Sequence, residues 1–514
     1  TRNGKRTTQA AVRIASDMVK EGLIDEKTAV MRVDPSSLDQ LLHPVFVKAA
    51  EDKADKLTVG LPASPGAATG QVVFTAEEAE RLAELGQTVI LCRIETSPED
   101  IGGMAAAKGI LTARGGMTSH AAVVARGMGK CCVAGAGDVA IDYKAKSFKV
   151  GKATISEGDW ISLNGSSGAV YAGKIETVEP TLSGPFGDIM ALADKYRKIA
   201  VRTNADTPHD TRVAVKFGAE GIGLCRTEHM FFDGDRIVSF RRLILVAETV
   251  KRLKAEHGVA TLDELDKALA DRPKRETRDA VAAVAQYRQA LKELLPLQRK
   301  DFAGIFRALK GRSCTVRLLD PPLHEFLPQD EEGQKAMARN MKVSVKAIKQ
   351  TVDSLHEFNP MLGHRGCRLG MTYPEVTEMQ TRAICEAACR VPGSKPEIMV
   401  PLVGNVRELA HQKEIIARVI KEVEKAKGKK LKVLIGTMIE VPRAAVTADE
   451  IAAEAEFFSF GTNDLTQMGC GFSRDDAGKF LGEYVERGVY DYDPFQVLDQ
   501  SGVRRLVETA VTLG

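Results

Sequence analysis

Apolar residues recur at helical spacing near the start of the chain (Ala11, Val12, Ala15, Val19) and the run closes at Gly22, which predicts a helix over residues 8–22. A polar stretch broken by Asp34-Pro35 follows. From Leu57 to Gly173 the pattern becomes short β-rich runs between Gly-rich turns: Gln71–Phe74, Val89–Arg93, Gly109–Ala113, Trp160–Leu163 and Ala169–Ala172. That texture predicts a compact domain of mixed sheets with few helices. Glu179-Pro180-Thr181-Leu182-Ser183-Gly184-Pro185 then reads as an interdomain linker.

Beyond the linker, strand and helix alternate. Strands are predicted at Ile199–Arg202, Gly221–Cys225, Thr315–Leu319, Met361–Gly363 (weakly), Glu397–Pro401, Lys432–Ile439 and Phe457–Phe460. Amphipathic helices such as Asn405–Lys427 lie between them, and a helix over Gly502–Thr512 follows the last. Parallel βα units of this kind build a (β/α)₈ TIM barrel, which needs eight strands; seven are counted, so the last is expected beyond Gly514. A charged, Ala-rich helical excursion near 239–300 is expected to carry no chemistry. The expected organisation is an α/β multidomain chain: a leading segment 1–56, a β/α domain over 57–173, a linker over 174–197, and a barrel over 198–514.

Composition narrows the partners. Lys and Arg total 72 against 69 Asp and Glu, a net charge of +3, which gives no support for a nucleic-acid or membrane-surface partner. No uncharged apolar run reaches the ~18 residues of a membrane span. Nine cysteines, an odd number scattered over 514 residues, argue for a reducing compartment and against a disulfide framework. Cys131-Cys132 and the Cys385/Cys389 pair read as buried small side chains rather than zinc ligands, and Asn164-Gly165-Ser166 reads as an Asn-Gly turn. The start, Thr1-Arg2-Asn3-Gly4-Lys5-Arg6, has no apolar stretch behind it and no Met, so it is not a signal peptide and a longer protein is expected.

The strongest local signal runs from Leu111 to Gly127. A strand enters Gly115-Gly116, hydroxyl residues suited to an N-cap follow, and a helix closes at Gly127. His120 falls in the first helical turn, where free N–H groups favour an anion and a neutral ring nitrogen can act as nucleophile. Geometry alone leaves a merely capping or packing histidine equally open. The run Thr112-Ala113-Arg114-Gly115-Gly116-Met117-Thr118-Ser119-His120, its continuation Gly127-Met128-Gly129-Lys130-Cys131-Cys132, and the opening Thr1–Thr7 resemble the pyruvate phosphate dikinases of the phosphoenolpyruvate-utilising family. Less closely, they resemble phosphoenolpyruvate synthase and enzyme I of the sugar phosphotransferase system. The resemblance implies that His120 is phosphorylated, that its domain swivels, and that Thr118 matches a regulatory phosphorylation position of some plant members.

On the barrel, Arg226 and Arg317 stand at the ends of predicted strands, where such folds gather their active sites and where guanidinium groups grip phosphate and carboxylate. Glu440 and Asp464 each follow a buried, consecutive strand and could share one Mg²⁺. A lone arginine also suits a surface salt bridge, and Asp464 alone suits a helix N-cap. The resemblance implies that Arg226, Arg317, Glu440, Gly461, Thr462, Asn463 and Asp464 line the substrate pocket and that Glu440 and Asp464 hold Mg²⁺. Arg365, in Gly363-His364-Arg365-Gly366, matches a family pocket motif and ranks lower. The resemblance to the dikinases implies reversible conversion of ATP, phosphate and pyruvate to AMP, pyrophosphate and phosphoenolpyruvate, this portion carrying transfer between His120 and pyruvate.

No Walker-type loop occurs, so ATP/AMP and phosphate/pyrophosphate are expected to bind an ATP-grasp domain before Thr1, and the family's thiol acid is expected after Gly514. Cys470 comes too early to be that acid. A homodimer in the cytosol, a plastid or a peroxisome-like organelle is the expected setting. The alternatives are phosphoenolpyruvate synthase, enzyme I, and a non-catalytic interaction protein that kept the fold.

Overall fold

The computed structural model describes residues 6–116, 119–179, 183–232, 236–341, 343–357 and 359–514. Thr118 and part of the expected linker (residues 180–182) lie outside the described residues. The chain divides into two compact units, 1–199 and 200–514. No helix among the described residues is long and apolar enough to cross a membrane.

In the first unit an eight-stranded mixed sheet runs in the order Lys56–Val59, Ala169–Ala172, Trp160–Asn164, Ala67–Val73, Val89–Arg93, Gly109–Thr112, Cys131–Ala134, Leu61–Ser64. The four strands from Ala67–Val73 to Cys131–Ala134 are parallel, and antiparallel strands flank them. Parallel strands bury both faces, which is why these segments read as unbroken apolar runs. Ile90 and Cys92 point into one core, Val89 and Leu91 into the other. Cys131 and Cys132 split in the same way, and burial pushes both thiols up to about 12. All nine cysteines are free and eight are buried. Asn164 Oδ1 accepts from the N–H groups of Ser166 and Ser167 at 3.1 Å, the expected Asn-Gly turn. The helix Thr8–Lys20 packs Val12 and Ala15 against Phe186 and Ile189 of the helix Gly184–Tyr196.

The second unit is built on a curled, barrel-like sheet of six parallel strands in chain order: Thr203–Asn204, Gly221–Arg226, Ser313–Arg317, Lys395–Val400, Leu434–Ile439 and Phe458–Phe460. Two expectations are corrected. The first strand lies at Thr203–Asn204, after the predicted Ile199–Arg202. The segment Met361–Gly363 is not a strand; Pro360–Leu362 forms a short 3₁₀ turn. The reason is pairing: Ser313–Arg317 bonds directly to Lys395–Val400 from Ser313↔Lys395 to Arg317↔Met399, which leaves no slot between them.

The excursion forms helices Arg236–His257, Leu262–Ala270 and Lys274–Leu309, closed around Phe231, Phe240 and Phe326. A helix Pro208–Lys216 precedes the second strand, and Thr462–Cys470 follows the sixth.

Candidate active site

Two loci carry the candidate chemistry, one in each unit. In the first, the buried strand Gly109–Thr112 runs into a turn that needs glycine: Gly115 sits at φ +109°, and a Cβ there would meet Ser119 Cβ at 2.9 Å. Ser119 caps the helix His120–Gly127, its hydroxyl accepting from Ala122 N–H at 3.4 Å. Ala121, Ala122 and Ala125 pack into the core beneath, which leaves His120 half-buried on the outer face of the first turn. His120 Nδ1 lies 3.0 Å from Thr96 Oγ1. Thr96 belongs to the loop after Val89–Arg93, which is braced where Ser97 N–H donates to Asp100 Oδ2 at 2.9 Å and Arg93 Nε donates to the same oxygen at 3.3 Å. The hydroxyl engages Nδ1 and not Nε2. The exposed Arg114 stands in the same turn.

In the second locus the side chains come from the ends of the second, third, fifth and sixth strands. Arg226 and Arg317 are the last residues of their strands, Glu440 follows Ile439 directly, and Gly461 follows Phe460. Parallel strands in register place all these positions at one end of the sheet. Arg317 is buried between two carboxylates: its guanidinium donates to Glu228 Oε1 and lies 3.0 Å from Asp320 Oδ2. Arg365 reaches the same aspartate at 2.6 Å and 3.2 Å and Asp464 Oδ2 at 3.4 Å. Asp320 therefore bridges both arginines. Glu440 is 1% exposed, and its Oε1 accepts from Leu402 N–H at 2.6 Å. Its other oxygen occupies the space a side chain on Gly461 would fill, 2.5 Å from where that Cβ would stand.

Electrostatics tie the cluster together. Burial pushes the Glu440 carboxyl up to about 8, helped by the charges of Asp320 and Asp464 and opposed by Arg317. Asp464 is raised as well, chiefly by burial, with Arg365 opposing. Burial disfavours the charge on Arg317 and on Arg365, yet the surrounding carboxylates outweigh it and hold both guanidinium groups above their usual range. Three buried polar atoms in this cluster find no partner among the described residues: Thr227 Oγ1, Glu228 Oε2 and Arg317 Nε.

Of the residues singled out in the sequence, Arg317, Glu440, Gly461 and Asp464 come together. Thr462 and Asn463 open the helix Thr462–Cys470 and are exposed beside them. Arg226 is fixed through its backbone, where its N–H donates to Asp206 Oδ1 at 2.5 Å; no contact joins its side chain to the cluster among the described residues. Asp320, Glu228 and Thr96 were missed. Asp320 had a readable sign, an acid three residues past a strand-end arginine and followed by Pro321-Pro322. Thr96 stands in Thr96-Ser97-Pro98-Glu99-Asp100, a capping pattern just after a buried strand.

Comparison with known proteins adds independent findings. The family described as PEP-utilising enzyme, PEP-binding domain, matches residues 181–514, and PEP-utilising enzyme, mobile domain, matches residues 85–168. The pyruvate, phosphate dikinase of Clostridium symbiosum is 56% identical over an alignment that covers 100% of this chain and 55% of that protein. The chloroplastic pyruvate, phosphate dikinase 1 of Arabidopsis thaliana is 51% identical over 100% of this chain and 50% of its own. The pyruvate, phosphate dikinase of Rhizobium meliloti is 51% identical over 100% and 54%. The chain spans about half the length of the curated relatives it matches.

Proposed function

The chain belongs to the PEP-utilising enzyme family, and on that premise we propose that it carries the phosphoenolpyruvate half of a pyruvate, phosphate dikinase reaction. Nε2 of His120 attacks the phosphorus of phosphoenolpyruvate. An N–P bond forms, the bond from phosphorus to the enol oxygen breaks, and the electron pair stays on that oxygen. The enolate then takes a proton from water at its methylene carbon, leaving hydroxide, and departs as pyruvate. In the other direction His120 returns the phosphoryl group.

The observation that carries this reading is the buried cluster at the strand ends. Arg317 and Arg365 face a dianionic ester with donors held in place before it arrives, so little reorganisation accompanies charge transfer. Arg226, Thr462 and Asn463 complete the pocket. Thr96 is a positioning residue that turns the His120 ring so that Nε2 faces outward.

The cluster also fits a divalent cation. Glu228, Asp320, Glu440 and Asp464 set four carboxylates against two guanidinium groups, a formal excess of two negative charges. Among the described residues no three His, Cys, Asp or Glu side chains converge as a metal cage. Mg²⁺ asks for less, one or two carboxylates with water and substrate oxygens, and Glu440 and Asp464 would supply the carboxylates. Bound there, the ion would neutralise charge on the enolate and phosphoryl oxygens.

The reading is tested on the chain as it stands with phosphoenolpyruvate labelled at phosphorus. Acid-labile label should appear on wild-type protein with Mg²⁺, fall away with a chelator, and be absent from His120→Asn. Label on His120→Asn at the wild-type level would refute it.

A further inference from the structure

A second charged site lies between two helices outside the barrel strands. A cavity of about 530 Å³ opens between the helix Pro208–Lys216 and the end of the helix Lys274–Leu309. Arg212, Lys216, Arg307 and Lys310 line it, with no acidic residue in the lining. None of the four cations has a carboxylate partner among the described residues, and all four are exposed around the cavity.

The fold holds these charges together. Arg212 and Lys216 are four apart on one helix, a spacing at which like charges repel. Gly304 lets the second helix close on the first: a Cβ there would meet Pro208 Cγ at 2.6 Å. Lys310 is kept in the left-handed region at φ 50°, a conformation that a side-chain-bearing residue seldom adopts. Complementing a helix C-terminus accounts for Lys216 or Lys310 singly. It does not account for four cations around one cavity without a counter-charge.

We propose that this cavity binds an oligophosphate chain, of two or more linked phosphates, at a site separate from the strand-end cluster. Guanidinium forks and ammonium groups are the matching donors, and the clustered positive field favours a multivalent anion over a monovalent one. Pyrophosphate, tripolyphosphate and the phosphate tail of a nucleotide share that chemistry.

The test is calorimetric titration of inorganic tripolyphosphate into this chain, Arg212→Ala/Arg307→Ala and Arg226→Ala. The surface double change should weaken one saturable event about tenfold or more. The same event should persist in Arg226→Ala with unchanged affinity. Pyrophosphate and ATP, run as parallel arms, should compete for it, and ATP binding no tighter than tripolyphosphate would identify the phosphates as the determinant. Affinity in the double variant within twofold of wild type would overturn the proposal. So would loss of all binding in Arg226→Ala, ATP binding without tripolyphosphate binding, or an oligoglutamate peptide that binds more tightly than tripolyphosphate.

Discussion

The His120 turn and the strand-end cluster are built on opposite principles. His120 is half-buried, held by one hydroxyl and a helix cap, and packed over alanines that ask nothing of its ring. Arg317, Asp320, Arg365 and Glu440 are all buried; Asp320 ties the two arginines together, and Glu440 is held by the Leu402 N–H beside them. A group that must form and break a covalent bond with partners from outside gains from exposure. A group that binds a small dianion gains from being fixed in advance in a low-dielectric site. Chemistry and stability should therefore be separable at the first locus and inseparable at the second.

The largest effect tests that separation directly. Arg317→Ala should abolish phosphoenolpyruvate-dependent labelling and also leave Glu228 buried without its cation and Asp320 with Arg365 alone, costing about 3–5 kcal/mol of stability. His120→Asn should abolish labelling equally while staying within about 0.5 kcal/mol of wild type. Urea unfolding of the two variants checks this, and equal stability losses would break the contrast.

Glycines sharpen it further. An alanine at Gly461 would drive its Cβ into Glu440 Oε2 at 2.5 Å and Met438 Sδ at 2.9 Å, whereas nothing stands within 4 Å of a Cβ at Gly116. Gly461→Ala should cost about 1–3 kcal/mol and weaken Mg²⁺ binding, while Gly116→Ala should leave the unfolding midpoint where it was. Titration calorimetry with Mg²⁺ and thermal unfolding report the two outcomes.

Thr96 carries a smaller effect. Thr96→Ala removes the hydroxyl that holds the His120 ring and should slow labelling roughly tenfold while stability stays within about 0.5 kcal/mol of wild type. Thr96→Ser should restore most of the rate, since the hydroxyl alone makes the contact. Recovery in the serine variant separates ring positioning from packing.

How much of this could be read in the sequence follows the same division. The strand Val89–Arg93 and the helix beginning at His120 fall where apolar runs and capping residues put them, because those signals are local. So do Glu440 and Gly461, each one residue past its strand. Asp320, three residues past Arg317, was within local reach, whereas Glu228 was not legible as a partner of Arg317, since that pairing depends on which strands lie side by side. The weak strand at Met361–Gly363 failed for the same reason: its residues suit an extended chain, but the neighbours' pairing excludes it. Arg365, delivered by that turn, proved more central than its motif alone indicated.

The smallest effect lies elsewhere in the barrel. Glu397 is a buried carboxylate within its strand, and there the charges are fully matched: its oxygens accept from Arg202 at 2.6 and 3.2 Å and from Thr315 at 2.7 Å. Burial would raise its carboxyl, but these donors outweigh it and hold it below its ordinary value of 4.5. A carboxylate whose folded pKa is depressed contributes stability that is complete above the ordinary value and is lost as pH falls through the folded one. Arg202 is 38% exposed, so solvent screens the pair and its worth is of order 1 kcal/mol. Glu397→Gln should therefore lower stability modestly at neutral pH, converge with wild type in acid, and leave labelling of His120 unchanged. Urea midpoints between neutral pH and the acid limb measure it; a gap that widens as pH falls would show that the ion pair does not set the acid limb.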